Sequence, residues 1–166
     1  MLKVCKWLFI FLVLVFAMVF PVLVHSQKGS SVADQEFRER YIDGSDLICI
    51  GKVLSESVPA PANLLQVPFD PNWQMVTVEV SGAFVGNSKR SDRIQIIFPG
   101  TTSVMWAGPP KLVLGGEYVF ILQDLTSYRY LPNKPEQVKK GQYYLVMSPE
   151  RVQPKTRANF IQAMIH

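Results

Sequence analysis

Histidine and cysteine are almost missing from this chain, with two of each in 166 residues. So few ligands exclude a His/Cys zinc site, and two cysteines cannot build a disulfide framework. Charge is also scarce: 18% of residues are charged, against about 25% in ordinary soluble domains. No long run of one sign occurs, only the short pairs Lys89-Arg90 and Lys139-Lys140. A nucleic-acid footprint needs a clustered basic face, so that ligand class is excluded. The chain holds no Gly-x-x-x-x-Gly-Lys-Ser/Thr loop, no His-Glu-x-x-His, no calcium loop and no Asn-x-Ser/Thr acceptor. The length suits one domain of ordinary size.

What is present begins with an N-terminal pattern. Lys3 and Lys6 precede the uncharged stretch Trp7 to Val24, which Pro21 interrupts, and Val24-His25-Ser26 follows. A basic start, an apolar run and a small-residue exit are the three parts of a secretory signal peptide. The expectation is a signal over residues 1–26, cleaved between Ser26 and Gln27, and a secreted or periplasmic protein. The alternative is an uncleaved membrane anchor, because the stretch is just long enough to span the hydrocarbon layer. Pro21 favours cleavage, since it ends a helix and leaves the exit extended. Cys5 lies before the apolar run rather than after it, so a lipid anchor is not expected. Removing residues 1–26 takes Lys3, Lys6, Cys5 and His25, lowers the net charge from +4 to +2 and leaves only Cys49 and His166 of their types. With neither disulfide nor glycan acceptor, the pattern fits a bacterial periplasmic or cell-surface protein.

Beyond a flexible leader at 27–33, one domain is expected over 34–166. Ser31 and Asp34 have the spacing of a helix start, and Phe37 and Tyr41 lie four apart. A short helix is predicted over about 34–42, ended by Asp43-Gly44. The rest reads as β structure. Leu47 to Leu54 is nearly continuous apolar sequence, as in a strand covered on both faces. Trp73 to Val80 alternates, with Val76, Val78 and Val80 on one side and Thr77 and Glu79 on the other. Arg93 to Phe98 alternates through Ile94, Ile96 and Phe98. Glu117 to Leu122 and Gln142 to Met147 complete five strands. Gly86-Asn87-Ser88-Lys89, Gly115-Gly116 and Lys139-Lys140-Gly141 are turn chemistry. Pro59 to Asn72, with four prolines, and Pro99 to Lys111, with three, are long loops. Phe160, Ile161, Met164 and Ile165 form one helical stripe, most simply a terminal helix packed on the sheet, with a partner- or membrane-binding helix as the alternative. The fold class is β-rich α+β: a five-stranded OB-like barrel with a short N-terminal and a C-terminal helix.

Three segments carry a family resemblance. Ser45-Asp46-Leu47-Ile48-Cys49-Ile50-Gly51-Lys52-Val53 resembles the first strand of netrin-module and metalloproteinase-inhibitor-like OB barrels. Trp73 to Gly86 is similar to their second strand. Leu112 to Leu122 is similar to their element of leucine, glycine, tyrosine and apolar strand. The resemblance spans about residues 45–125 and extends to exported bacterial proteins of unassigned function. In the animal inhibitors, an N-terminal cysteine chelates the catalytic zinc of the protease. The start expected here is Gln27, with no cysteine beside it, so that device has no counterpart.

Catalysis is not expected. A Ser or Cys nucleophile normally needs a base, most often His, and His166 is the last residue. Cys49 sits inside an apolar strand, where an inert buried thiol is expected. Asp43, Asp46, Glu56, Asp70, Glu79, Asp92, Glu117 and Asp124 are scattered without a spacing that singles out a pair. No metal or cofactor is expected. Two segments carry binding-type residues: Met105 and Trp106 in the second long loop, and Tyr128, Arg129 and Tyr130 further on. Both have a bland reading, with Trp106 plugging the barrel and the tyrosines flanking an edge strand. The expected function is an exported, non-enzymatic module that binds another extracytoplasmic protein. The alternatives are a protease inhibitor acting through loops 59–72 and 99–111, and a carbohydrate-binding module that stacks a glycan on its aromatics.

Overall fold

The computed structural model describes residues 31–62, 64–65, 71–101, 108–128 and 138–166. The signal segment, most of the leader, and Met105, Trp106, Arg129 and Tyr130 therefore lie outside the described residues. Among the described residues, no helix is long and apolar enough to cross a membrane. The chain divides into two compact units, Met1–Glu36 and Phe37–His166. In the first, Ser31 and Asp34 form a reciprocal cap. The Asp34 N–H donates to Ser31 Oγ at 3.2 Å, and the Ser31 N–H donates to Asp34 Oδ2 at 3.1 Å. Helix α1 (Val32–Phe37) starts there, two residues before the expected position, and a π-turn follows at Arg38–Ile42.

The second unit is a closed barrel. Its strands are β1 (Leu47–Val53), β2 (Val58–Pro59), β3 (Gln74–Val85), β4 (Arg93–Phe98), β5 (Glu117–Asp124), β6 (Tyr143–Leu145) and β7 (Val152–Pro154). Five of them close the wall in the order β1-β3-β4-β6-β5, and β5 returns to β1. All pairs in the wall are antiparallel except β4 with β6. This is an OB-like barrel, as the alternation patterns predict. The short β2 and β7 lie outside the ring on β3 and β5. Each contains a proline, which a strand tolerates only at an edge, and neither was among the five strands expected.

Side-chain alternation explains the packing. Leu47, Cys49, Val53, Val76, Val78, Val80, Ile94, Ile96, Phe98, Phe120, Leu122, Tyr144 and Val146 point inward and fill the barrel. The opposite side of β1 and β5, through Ile48, Val119 and Ile121, is covered by Ile42 and by Ile161 of α2 (Ala158–Ile165). Both faces of β1 are thus buried, which is why it reads as one apolar run. The helical stripe at the C-terminus packs on the sheet. Arg157 joins this layer, with its guanidinium 4.6 Å from the Phe160 ring and 5.5 Å from the Phe37 ring.

β3 runs five residues beyond the expected Val80, through Ser81-Gly82 to Val85. Register shifts at Ile48/Cys49 and Ile50/Gly51 accompany this extension and let the ribbon coil into a barrel. Gly51 is required inside it. A Cβ there would strike Val78 Cγ1 and lie 3.3 Å from Phe120.

Candidate functional site

The ends of β1 and β4 and the starts of β3 and β5 meet at one end of the barrel, where both long loops emerge. The described parts of these loops are tied to each other. The Gly100 N–H lies 3.1 Å from the Pro71 carbonyl and 3.2 Å from that of Asn72, and the Thr101 N–H donates to Pro71 at 3.1 Å. Thr101 Oγ1 also donates to the Pro71 carbonyl, at 3.0 Å. Asn72 adopts a left-handed φ of 54° to make this junction, a conformation Asn tolerates better than most residues. The turn before β5 is fastened as well. The Gly115 N–H donates to Val53 at 2.9 Å, and the Val53 N–H to Gly116 at 3.0 Å.

Around these ties lies a cavity of about 680 Å³ at the barrel mouth, floored by Val53, Val76 and Phe98 and rimmed by Ser55, Glu56 and Leu114. A second hollow of about 460 Å³ opens beside it between Ala60, Leu65, Trp73 and Thr101. Gln74 and Gly100 line both. Among the described residues of this second unit, the large apolar side chains that are exposed are Val58 at 47%, Val113 at 65% and Leu114 at 56%, all at this end. Val113 and Leu114 line the mouth cavity, and Val58 follows Ser57, which also lines it. None of the three drew notice in the sequence, because each sits beside a turn or proline where apolar residues also plug cores.

The charges here are mixed. Lys155 Nζ meets Glu117 Oε2 at 2.7 Å, and this hydrogen bond holds the Glu117 carboxyl below its ordinary range.

The opposite end brings three carboxylates together with Lys140, Gly141 and Tyr144 around a hollow of about 450 Å³. Asp124, only 2% exposed, accepts from the Thr126 N–H at 2.8 Å, from Thr126 Oγ1, and from the Gly141 N–H. Asp46 Oδ2 accepts from the Asp124 N–H at 2.9 Å, and Asp92 Oδ2 from the Lys89 N–H at 2.6 Å. These acids latch loops to strands. Among the described residues, no three His, Cys, Asp or Glu are grouped as a metal ion would need.

The outer face of β3 and β4 is partly covered by the chain itself. Leu64, Leu65 and Trp73 of the first long loop pack with Ile97, Leu125 and Leu145, and Met75 joins them. Beside that cover, Thr77 Oγ1 donates to Gln95 Oε1 at 3.2 Å. Cys49 is fully buried, which pushes its thiol up to about 12, the inert state expected of it.

Of the five binding residues read from the sequence, Tyr128 is the one described. It is half-buried against the Leu64–Leu145 cluster, on the barrel wall rather than at the mouth. Met105, Trp106, Arg129 and Tyr130 lie outside the described residues.

Strand order and closure place the chain in the OB-like class of small β-barrels. No protein-family model and no curated protein matches it.

Proposed function

We propose that the protein is an exported, non-enzymatic module of the periplasm or cell surface that binds another extracytoplasmic protein through the loop-bearing end of its barrel. The observation that carries this reading is the pair Val113 and Leu114, exposed on the lining of the mouth cavity on a hydrogen-bonded turn, with the exposed Val58 next in sequence to the cavity-lining Ser57. Apolar anchors on a pre-organised frame lose little conformational entropy on docking. Export rests on the N-terminal segment, cleaved near Ser26/Gln27, with a retained anchor as the alternative.

A protein partner is favoured over a glycan. OB barrels that bind oligonucleotides and oligosaccharides use the face of their second and third strands, here β3 and β4. Leu64, Leu65 and Trp73 already occupy part of that face. The second reading is a protease inhibitor that inserts loops 59–72 and 99–111 into an active site. The ties from Gly100 and Thr101 to Pro71 favour it, because a wedge must be rigid before it binds. The resemblance to metalloproteinase-inhibitor-like barrels points the same way, through loops rather than through an N-terminal cysteine.

The test is affinity enrichment from the extracytoplasmic fraction with the wild-type chain and with a V58S/V113S/L114S variant. One protein, quantified by mass spectrometry and lost with the variant while folding is retained, is the expected result. Equal recovery with both chains refutes the assignment. A recovered protease that the chain inhibits moves the inhibitor reading to first place, and tryptophan quenching by saccharides alone moves the glycan there.

A further inference from the structure

Arg151 is 8% exposed, and its Nη1 is buried with no hydrogen-bond partner. It closes the 3-10 turn Pro149–Arg151 between β6 and β7, where its backbone N–H donates to Ser148 at 3.1 Å. Its guanidinium carbon stands 5.8 Å from the centre of the Tyr41 ring, and Tyr128 lies near enough to act on its charge. Among the described residues, no carboxylate forms an ion pair with it; the pairs formed there are Arg38–Asp43 and Lys155–Glu117. A face-on aromatic contact satisfies the charge in part but uses none of the five N–H donors. A buried guanidinium without an acceptor is costly, which is why such groups are normally paired.

We propose that the Tyr41–Arg151–Tyr128 cluster on the barrel wall is a receptor for a small oxyanion, a carboxylate or a phosphate. The guanidinium fork matches two oxygens of either group. Tyr41 supplies an aromatic wall beside the guanidinium. Tyr128, one of the binding residues read from the sequence, lies near enough to Arg151 to act on its charge. This receptor is separate from the barrel mouth and does not rest on the protein-binding reading.

The test titrates the full exported chain with sodium acetate and, separately, sodium phosphate, against sodium chloride at matched ionic strength. The expected result is saturable stabilisation, with the folding equilibrium constant rising about tenfold when the anion stands at ten times its dissociation constant. R151M should lose that response. The relative effect of acetate and phosphate distinguishes the two sources. Equal stabilisation of wild type and R151M would assign the effect to surface charge and overturn the proposal, as would no response in the wild type. Should R151M fail to fold, the Nε–H resonance of Arg151 in the wild-type chain decides. A saturating shift on titration supports the receptor, and an unmoved signal rejects it.

Discussion

The two ends of the barrel handle their side chains in opposite ways. At one end, Asp46, Asp92 and Asp124 look like a cluster ready for a metal or a reaction, yet each accepts hydrogen bonds from nearby loops. At the other, Val58, Val113 and Leu114 have no core to enter and stand in solvent. Chemistry-bearing residue types are therefore poor guides here. The acids each accept a backbone N–H and so have a structural role, and the plain aliphatic residues are the candidates for contact because their surfaces are exposed. The comparison also separates two costs. Damage at the latched end should be read as lost stability, and damage at the loop-bearing end as lost binding.

Asp124→Ala should give the largest effect. It strips the Thr126 and Gly141 N–H groups of their acceptor, and a loss of about 3 kcal/mol is expected from denaturant midpoints. A change under about 0.5 kcal/mol would show that the latch is ornamental. Gly86→Ala at the same end should cost about 2 kcal/mol. Its φ is +90°, and an added Cβ would stand 2.6 Å from the Asp46 carbonyl. The barrel interior offers a comparable test in Gly51→Ala, where a methyl has no space beside Val78, again at about 2 kcal/mol.

Smaller effects belong to the loop-bearing end. Val113→Ser and Leu114→Ser should each stay within about 0.5 kcal/mol of wild type while abolishing partner recovery. The ion pair Lys155–Glu117 is exposed, so its contribution is small and salt-sensitive. Because Lys155 holds the Glu117 pKa below its unfolded value, that contribution is present above the unfolded pKa and fades as pH falls through the folded one. Wild type and E117Q should therefore converge in stability as pH is lowered from about 6 to about 3. The Cys49 thiol, buried and pushed up to about 12, should resist a thiol reagent in the native state and react on unfolding.

Much of the fold was legible because single-face burial leaves alternation behind. Val76, Val78 and Val80 of β3 and Ile94, Ile96 and Phe98 of β4 announced the barrel interior residue by residue. Double burial announced β1. The outer shells were harder to read. Ile97 breaks its strand's alternation because Leu125 and Leu145 cover it from outside, a contact no local pattern encodes. Ser81-Gly82 looked like an end of β3, although Gly82 pairs with Ile50 across a register shift. Prolines hid β2 and β7 for the same local reason. Of the candidate site, the two long loops were legible as places, whereas their meeting at one end is a product of topology. The contact of Tyr41 with Arg151 likewise joins segments that sequence spacing keeps apart.

The most direct test of the contact surface is hydrogen–deuterium exchange of the chain with and without its recovered partner. Binding at the loop-bearing end predicts new protection at Val58–Ala60 and Val113–Gly116, with Gly86–Asp92 and Lys140–Gly141 unchanged. Protection confined to Gly86–Asp92 and Lys140–Gly141 would contradict it, placing the contact at the end whose side chains are already engaged.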